Sequence, residues 1–183
     1  MNKSKLFTAT AVLAVAFAGT ALAADPMVGG AAMYSSKNII QNAVNSKDHT
    51  TLVAAVKAGG LVDTLEGKGP FTVFAPTNEA FSALPAGTVD TLLKPENKKM
   101  LDKILTYHVV PGRLDSAVLD QDIKKGGGKA ELNTVEGGKL TVTGSGKNLT
   151  IMDEKGDSAS VTIADVMQSN GVIMVVDKVL MPN

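Results

Sequence analysis

Leu140-Thr141-Val142-Thr143-Gly144-Ser145-Gly146-Lys147-Asn148-Leu149-Thr150-Ile151-Met152 sets apolar residues at every second position on both sides of a glycine-rich turn. Side chains on a strand point alternately to opposite faces, so a period of two predicts a hairpin with one buried and one wet face. The pattern extends outward. Asp153 to Asp157 supplies another turn, and Val161 and Ile163 alternate with Thr162 and Ala164. From Glu131 onward the chain therefore reads as an antiparallel meander. Val172-Ile173-Met174-Val175-Val176 is apolar at every position. That predicts a strand covered on both faces, lying between the sheet and a layer of helices.

Toward the N-terminus the period changes to that of helices. Asn38 with Gln41 three residues on is an N-terminal cap, and Ile39, Ile40, Ala43 and Val44 share one face. A second helix starts near Asp48, carries Leu52, Val53 and Val56, and stops at Gly59-Gly60. His49, near its start, is expected to be exposed. Leu61 to Leu65 adds a turn. Phe71-Thr72-Val73-Phe74 is a short strand ended by Ala75-Pro76, and Thr77 caps a helix carrying Ala80, Phe81 and Leu84. Thr88 to Leu93 is a further helical piece. Pro95 opens a helix over Glu96 to Leu105, with Met100, Leu101, Ile104 and Leu105 on its apolar face. Tyr107-His108-Val109-Val110 is expected as a strand ended by Pro111-Gly112. Ala117 to Ile123 is ambiguous, and Lys124 to Lys129 reads as a surface loop. Helices first and strands later predict an α+β fold.

The first residues have a different character. Lys3 and Lys5 precede an apolar run from Leu6 to Ala18, and Ala21-Leu22-Ala23 is a small-x-small cleavage site. The run is short for a bilayer span, so residues 1–23 read as a secretory signal peptide. Residues 24–36 are expected to form a flexible leader, and residues 37–183 a single domain. Loss of the two lysines leaves a net charge of about −2. No basic surplus marks a nucleic-acid binder. Cysteine is absent, which excludes disulfides, thiolate metal sites and a cysteine nucleophile. Aromatics are only 4% of the chain, so aliphatic residues and methionine must build the core.

Three segments together resemble the fasciclin domain family. They are Phe71-Thr72-Val73-Phe74-Ala75-Pro76-Thr77-Asn78-Glu79-Ala80-Phe81, then Leu105-Thr106-Tyr107-His108-Val109-Val110-Pro111-Gly112, then Asn170-Gly171-Val172-Ile173 with Asp177-Lys178-Val179-Leu180 and Pro182. The resemblance runs from about Lys37 to Asn183. It implies a wedge of two β-sheets with several helices packed at one edge and side. It also assigns Phe71, Val73, Phe74, Pro76, Thr77, Phe81, Pro111, Gly112, Asn170 and Gly171 to the structural motifs. Where the family usually carries a histidine after Asn-Gly-Val-Ile, this chain has Met174, so any role of that histidine is absent.

The resemblance implies a non-catalytic, secreted adhesion or interaction module, periplasmic or extracellular, with a cell-surface or matrix protein or a polysaccharide as partner. It points to Tyr107 and His108, and to Asp165 with Val166, as partner-binding residues. Their structural alternatives are a hydrogen-bonded strand end for the first pair and a turn cap with a core residue for the second. A second functional reading is a carrier of a small apolar ligand, a carotenoid or lipid, lined by methionines. No phosphate-binding glycine loop or nucleophile elbow occurs, and neither a metal site nor a cofactor is expected. No membrane span is expected after processing, and the sequence leaves the oligomeric state open.

Overall fold

The computed structural model describes residues 25–183. The expected signal peptide lies outside them. A two-residue hairpin opens the fold, β1 (Met27–Val28) and β2 (Ala31–Ala32). Three helices follow, α1 (Ile39–Ala43), α2 (Thr50–Gly59) and α3 (Val62–Glu66). After β3 (Phe71–Pro76) come α4 (Asn78–Ser82), α5 (Thr88–Leu92) and α6 (Lys98–Tyr107). The second half holds β4 (Val109–Pro111), α7 (Ser116–Lys125), β5 (Lys129–Asn133), β6 (Lys139–Ser145), β7 (Asn148–Met152), β8 (Ser158–Gln168) and β9 (Gly171–Val176).

Seven strands run in the order β4-β3-β9-β8-β7-β6-β5. Only β3 and β9 pair in parallel; their other neighbours are antiparallel. The ladder divides into two sheets joined through β8. Ser158 to Ser160 pair with β7, while Val161 to Gln168 pair with β9 across two register shifts. Bulges of this kind bend a strand and raise its twist.

Strand β9 explains its own composition. Ile173 and Val175 enter the apolar cluster shared with α1, α2, α4 and α6. Val172, Met174 and Val176 point the other way, into a cluster with the meander and α7. Every residue of β9 is buried. Strands β5, β6 and β7 feed the second cluster, through Leu132, Leu140, Val142, Leu149 and Ile151, which fits their alternation, whereas β8 turns Val161 to the second cluster and Ile163 and Val166 to the first across its register shifts.

Five expectations are corrected. Residues 27–33 are a hairpin rather than a flexible leader, because Val28 and Met33 are buried in the core and the Lys47 N–H donates to the Gly29 carbonyl. Tyr107 ends α6 and His108 caps it, so the strand begins only at Val109. Met100 lies on the outer face of α6. The ambiguous segment is α7, capped by Asp115, whose carboxylate accepts from the Val118 N–H; its last turn takes in Lys124 and Lys125. His49 is buried, not exposed.

Candidate functional site

Helix α6 delivers Tyr107 to the meander and His108 to the C-terminal tail. Leu101, Ile104 and Leu105 bury its inner face, and its last turn carries the two rings inward. Tyr107 is fully buried. Its hydroxyl donates to the Lys139 carbonyl at 2.7 Å and accepts from the Glu154 N–H at 3.1 Å. Burial pushes this phenol up to about 12, so it stays protonated and serves as a strut between α6, β6 and the turn after β7.

His108 is equally enclosed. Nδ1 lies 2.8 Å from the Ile104 carbonyl, and Nε2 accepts from the Leu180 N–H at 2.9 Å. These two bonds fix the tautomer with the proton on Nδ1. Desolvation lowers the imidazole to about 4. Beside it, Asp153 accepts from the N–H groups of Lys155 and Asp157 through Oδ1 and from Met181 through Oδ2. The pair thus anchors the C-terminal tail, with Leu180 in the core.

Asp165 sits in the second register shift of β8 with φ 59°. That left-handed conformation is costly for a residue with a Cβ. The bulge aims its carboxylate at the start of α7, where Oδ1 accepts from the Ser116 N–H at 2.7 Å and Oδ2 from the Ser116 hydroxyl at 2.6 Å. Lys147 approaches at 3.8 Å. The Asp165 N–H faces the Met174 sulfur at 3.5 Å, so the thioether at the usual histidine position takes part in the bulge. Val166 is fully buried.

Three of the four expected partner-binding residues, Tyr107, His108 and Val166, thus offer no surface, and Asp165 is committed to α7. We expect Asp165→Ala to lower stability by about 2 kcal/mol, from two lost bonds to a charged acceptor and an alanine held at positive φ. Urea denaturation measures this, with Asp165→Asn recovering most of the loss.

The remaining motif residues also hold the frame. Phe74, Val73, Pro76 and Phe81 are buried, and Phe71 is partly so. Thr77 caps α4 by accepting from the Ala80 N–H. Pro111 is exposed, while the Gly112 N–H donates to the Pro70 carbonyl. Asn170 is buried between α1 and α3. Its Oδ1 accepts from the Ile39 N–H, and its Nδ2 donates to the carbonyls of Leu65 and Gly67. Gly171 lies so close to β3 that a Cβ would fall 2.0 Å from the Phe71 carbonyl oxygen. Ser116 and Gln168 are buried polar groups with no signal in the sequence, and Asp153, expected only as a turn residue, is buried as well. Gln168 takes the Asn42 side chain as donor. Their types are common in turns and strands, so nothing in the sequence singles them out.

A family model described as Fasciclin domain matches residues 47–182. The chain belongs to the fasciclin family. This fasciclin protein is 48% identical over 157 residues to Protein sll1483 of Synechocystis, covering 85% of this chain and 79% of that one. It is 33% identical to the cell surface glycolipoprotein MPB83 of Mycobacterium bovis, over 89% of this chain and 77% of the relative. A solved FAS1 domain pair from the insect cell adhesion molecule fasciclin I superposes with a TM-score of 0.71 at 17% identity, covering 79% of this chain and 51% of that chain. The fold class expected from the sequence, α+β with two sheets, is the fasciclin fold. Fasciclin-domain proteins are adhesion-related and generally non-enzymatic.

Proposed function

We propose that this fasciclin domain is an exported interaction module that docks a cell-surface or matrix protein, or a polysaccharide, and catalyses no reaction. One observation carries the reading: the buried polar groups of the family motifs are taken up in hydrogen bonds within the fold. Tyr107, His108, Asp165 and Asn170 each have structural partners, so they shape the body and leave contact to side chains outside the motifs. Among the described residues, Met27, Tyr34 and Val44 are large apolar side chains that remain well exposed on the hairpin–α1 unit. Asn42 ties that unit together through both backbone groups of Tyr34.

Tyr34 is the natural anchor. It is one of two tyrosines, it is 45% exposed, and the Lys37 ammonium stands 4.8 Å from its ring centroid. An aromatic ring with a polar tip is the side chain most used at the centre of interfaces. The apolar run and cleavage site ahead of Ala24 support export, and no helix among the described residues is long and apolar enough to cross a membrane. Attachment of the purified protein to surface extracts of its host is expected to fall at least tenfold in Tyr34→Ala, with an unchanged denaturation midpoint. Equal attachment by both proteins would remove Tyr34 from the interface.

A further inference from the structure

The methionines do not line one cavity. Met27, Met100 and Met152 are exposed, and Met174 lies in the core. The apolar voids under α1 hold about 30 Å³ each, a water-sized sphere. Room for a partner lies along β5 instead.

Strand β5 ends the seven-stranded ladder and pairs only with β6. In an antiparallel pair, alternate residues turn both backbone groups toward the neighbour, and those between turn them away. The Thr134 N–H donates to the Gly138 carbonyl, which extends the ladder by one bonded pair. By that parity Ala130 and Leu132 bond to β6, opposite Val142 and Leu140. Lys129, Glu131 and Asn133 therefore point their N–H and C=O groups off the edge. Val135, next in the same parity, is already joined to β4, because its N–H donates to the Val109 carbonyl at 2.8 Å. At the other end the Lys129 carbonyl lies against Gly126, where a Cβ would fall 1.9 Å from it. Between these closures the backbone groups of Glu131 and Asn133 have no partner among the described residues.

An unpaired edge is a template for another strand, and folded proteins guard it with proline, a bulge, a covering element or lysine. Strand β5 has no proline and keeps an unbroken register over its five residues. Lys129 and the neighbouring Lys139 are both neutralised by Glu131, at 3.6 and 3.4 Å, so no unpaired charge repels a second strand. Helix α7 packs on β5, yet a cleft of about 330 Å³ remains along the edge, lined by Asp122, Gly126 and residues 129–132.

A second copy of β5 fits this edge about a twofold axis in one register. Glu131 opposite the partner's Glu131 sets like charges face to face, which is destabilising. Lys129 opposite the partner's Glu131 needs the carbonyl that Gly126 covers. Asn133 opposite the partner's Asn133 brings Glu131 against the partner's Val135, whose N–H is spent on β4. Glu131 opposite the partner's Asn133 meets none of these obstacles. Each such pair exchanges two backbone bonds, four in all, and the asparagine amide faces a carboxylate that accepts from it.

We propose that β5 is a dimerisation edge, to which a second copy of this chain adds its own β5 antiparallel, with Glu131 opposite the partner's Asn133. The same patch serves both copies, so assembly closes at two. The dimer carries two Tyr34 surfaces, but the strand pairing does not depend on that docking reading.

Sedimentation of the mature protein from about 10 μM to about 1 mM tests the pairing. A reversible monomer–dimer equilibrium is expected, with amide exchange at Glu131 and Asn133 slowing as dimer forms. Glu131→Pro removes a donor that points off the edge, where proline is tolerated, so the fold is expected to stand and the dimer to be lost. Asn133→Lys sets a cation opposite each carboxylate and is expected to tighten the dimer about two- to thirtyfold at low salt, and Asn133→Glu to weaken it as much. If the proline variant does not fold, the two Asn133 variants decide. A monomer throughout the range, or a dimer indifferent to these substitutions, would overturn the proposal. Slow exchange at both amides in the dilute monomer would show the edge already covered. Protection gained only on adding surface extract of the host would give the edge to a different chain, and either result would overturn the second copy.

Discussion

Asn170→Ala is expected to lower the free energy of unfolding by about 3–5 kcal/mol, against a total of about 5–15 for a domain of this kind. The side chain is 7% exposed and joins three elements that are far apart in sequence. Its oxygen accepts from the Ile39 N–H at 3.1 Å, one of the orphan donors at the start of α1. Its amide donates to the Leu65 carbonyl at 2.7 Å and to the Gly67 carbonyl at 2.9 Å, at the end of α3. Alanine removes all three partners at once and offers nothing in exchange. Each backbone group left unsatisfied in the interior costs about 1–3 kcal/mol, partly relieved where water can reach. Asn170→Asp keeps the acceptor and loses the donor, placing a carboxylate against two carbonyls, so it is expected to be no better. Urea denaturation should show a lower midpoint with an unchanged slope. A loss below about 1 kcal/mol would mean that Asn170 is not the joint between α1, α3 and β9.

The same residue shows what the sequence could and could not disclose. Asn170-Gly171 was recognisable as part of a motif, yet its reason was hidden. Gly171 is required because β3 runs parallel to β9 at a distance that admits no Cβ, and parallel pairing cannot be read from one strand. The strands themselves were legible because burial on one or both faces writes itself as alternation or as a continuous apolar run. Helix α7 also had its signals, a cap at Asp115 and Leu119 four residues before Ile123, but the following glycines blurred its end. The N-terminal hairpin was missed because two residues per strand leave no period to read. The resemblance offers Asp165 as a partner-binding residue and the residue type offers it as a turn cap; its positive φ follows from the register shift in β8, a tertiary property that neither reading contains. The burial of His49 was likewise invisible, since the elements that cover it come from β1, β3 and β8.

Between pH 6.5 and pH 4 the protein is expected to lose about 3 kcal/mol of stability through His108 alone. The unfolded chain binds a proton at this ring near the ordinary value of 6.5, whereas the folded protein resists until about 4. Desolvation is the main cause, opposed by the Ile104 carbonyl and by Asp153 nearby. The unfolded state therefore holds more protons throughout that window, so stability is whole above pH 6.5, declines as pH falls, and has lost the full amount below 4. His49, also lowered by burial, acts in the same direction. Asp120 and Glu131 do not confuse the result. Hydrogen bonds from Lys124 and Lys139 hold them below their ordinary values of 3.8 and 4.5, so their contribution starts to fall only near those values, at the bottom edge of this window. Protonated Nε2 could no longer accept from the Leu180 N–H, so the tail from Val179 onward should loosen first. Amide exchange at Leu180 and Met181 would then rise ahead of exchange in β9 as pH is lowered toward 4. A His108 proton resonance that titrates near 6.5 in the folded protein would contradict the burial argument, whatever the melting curves showed.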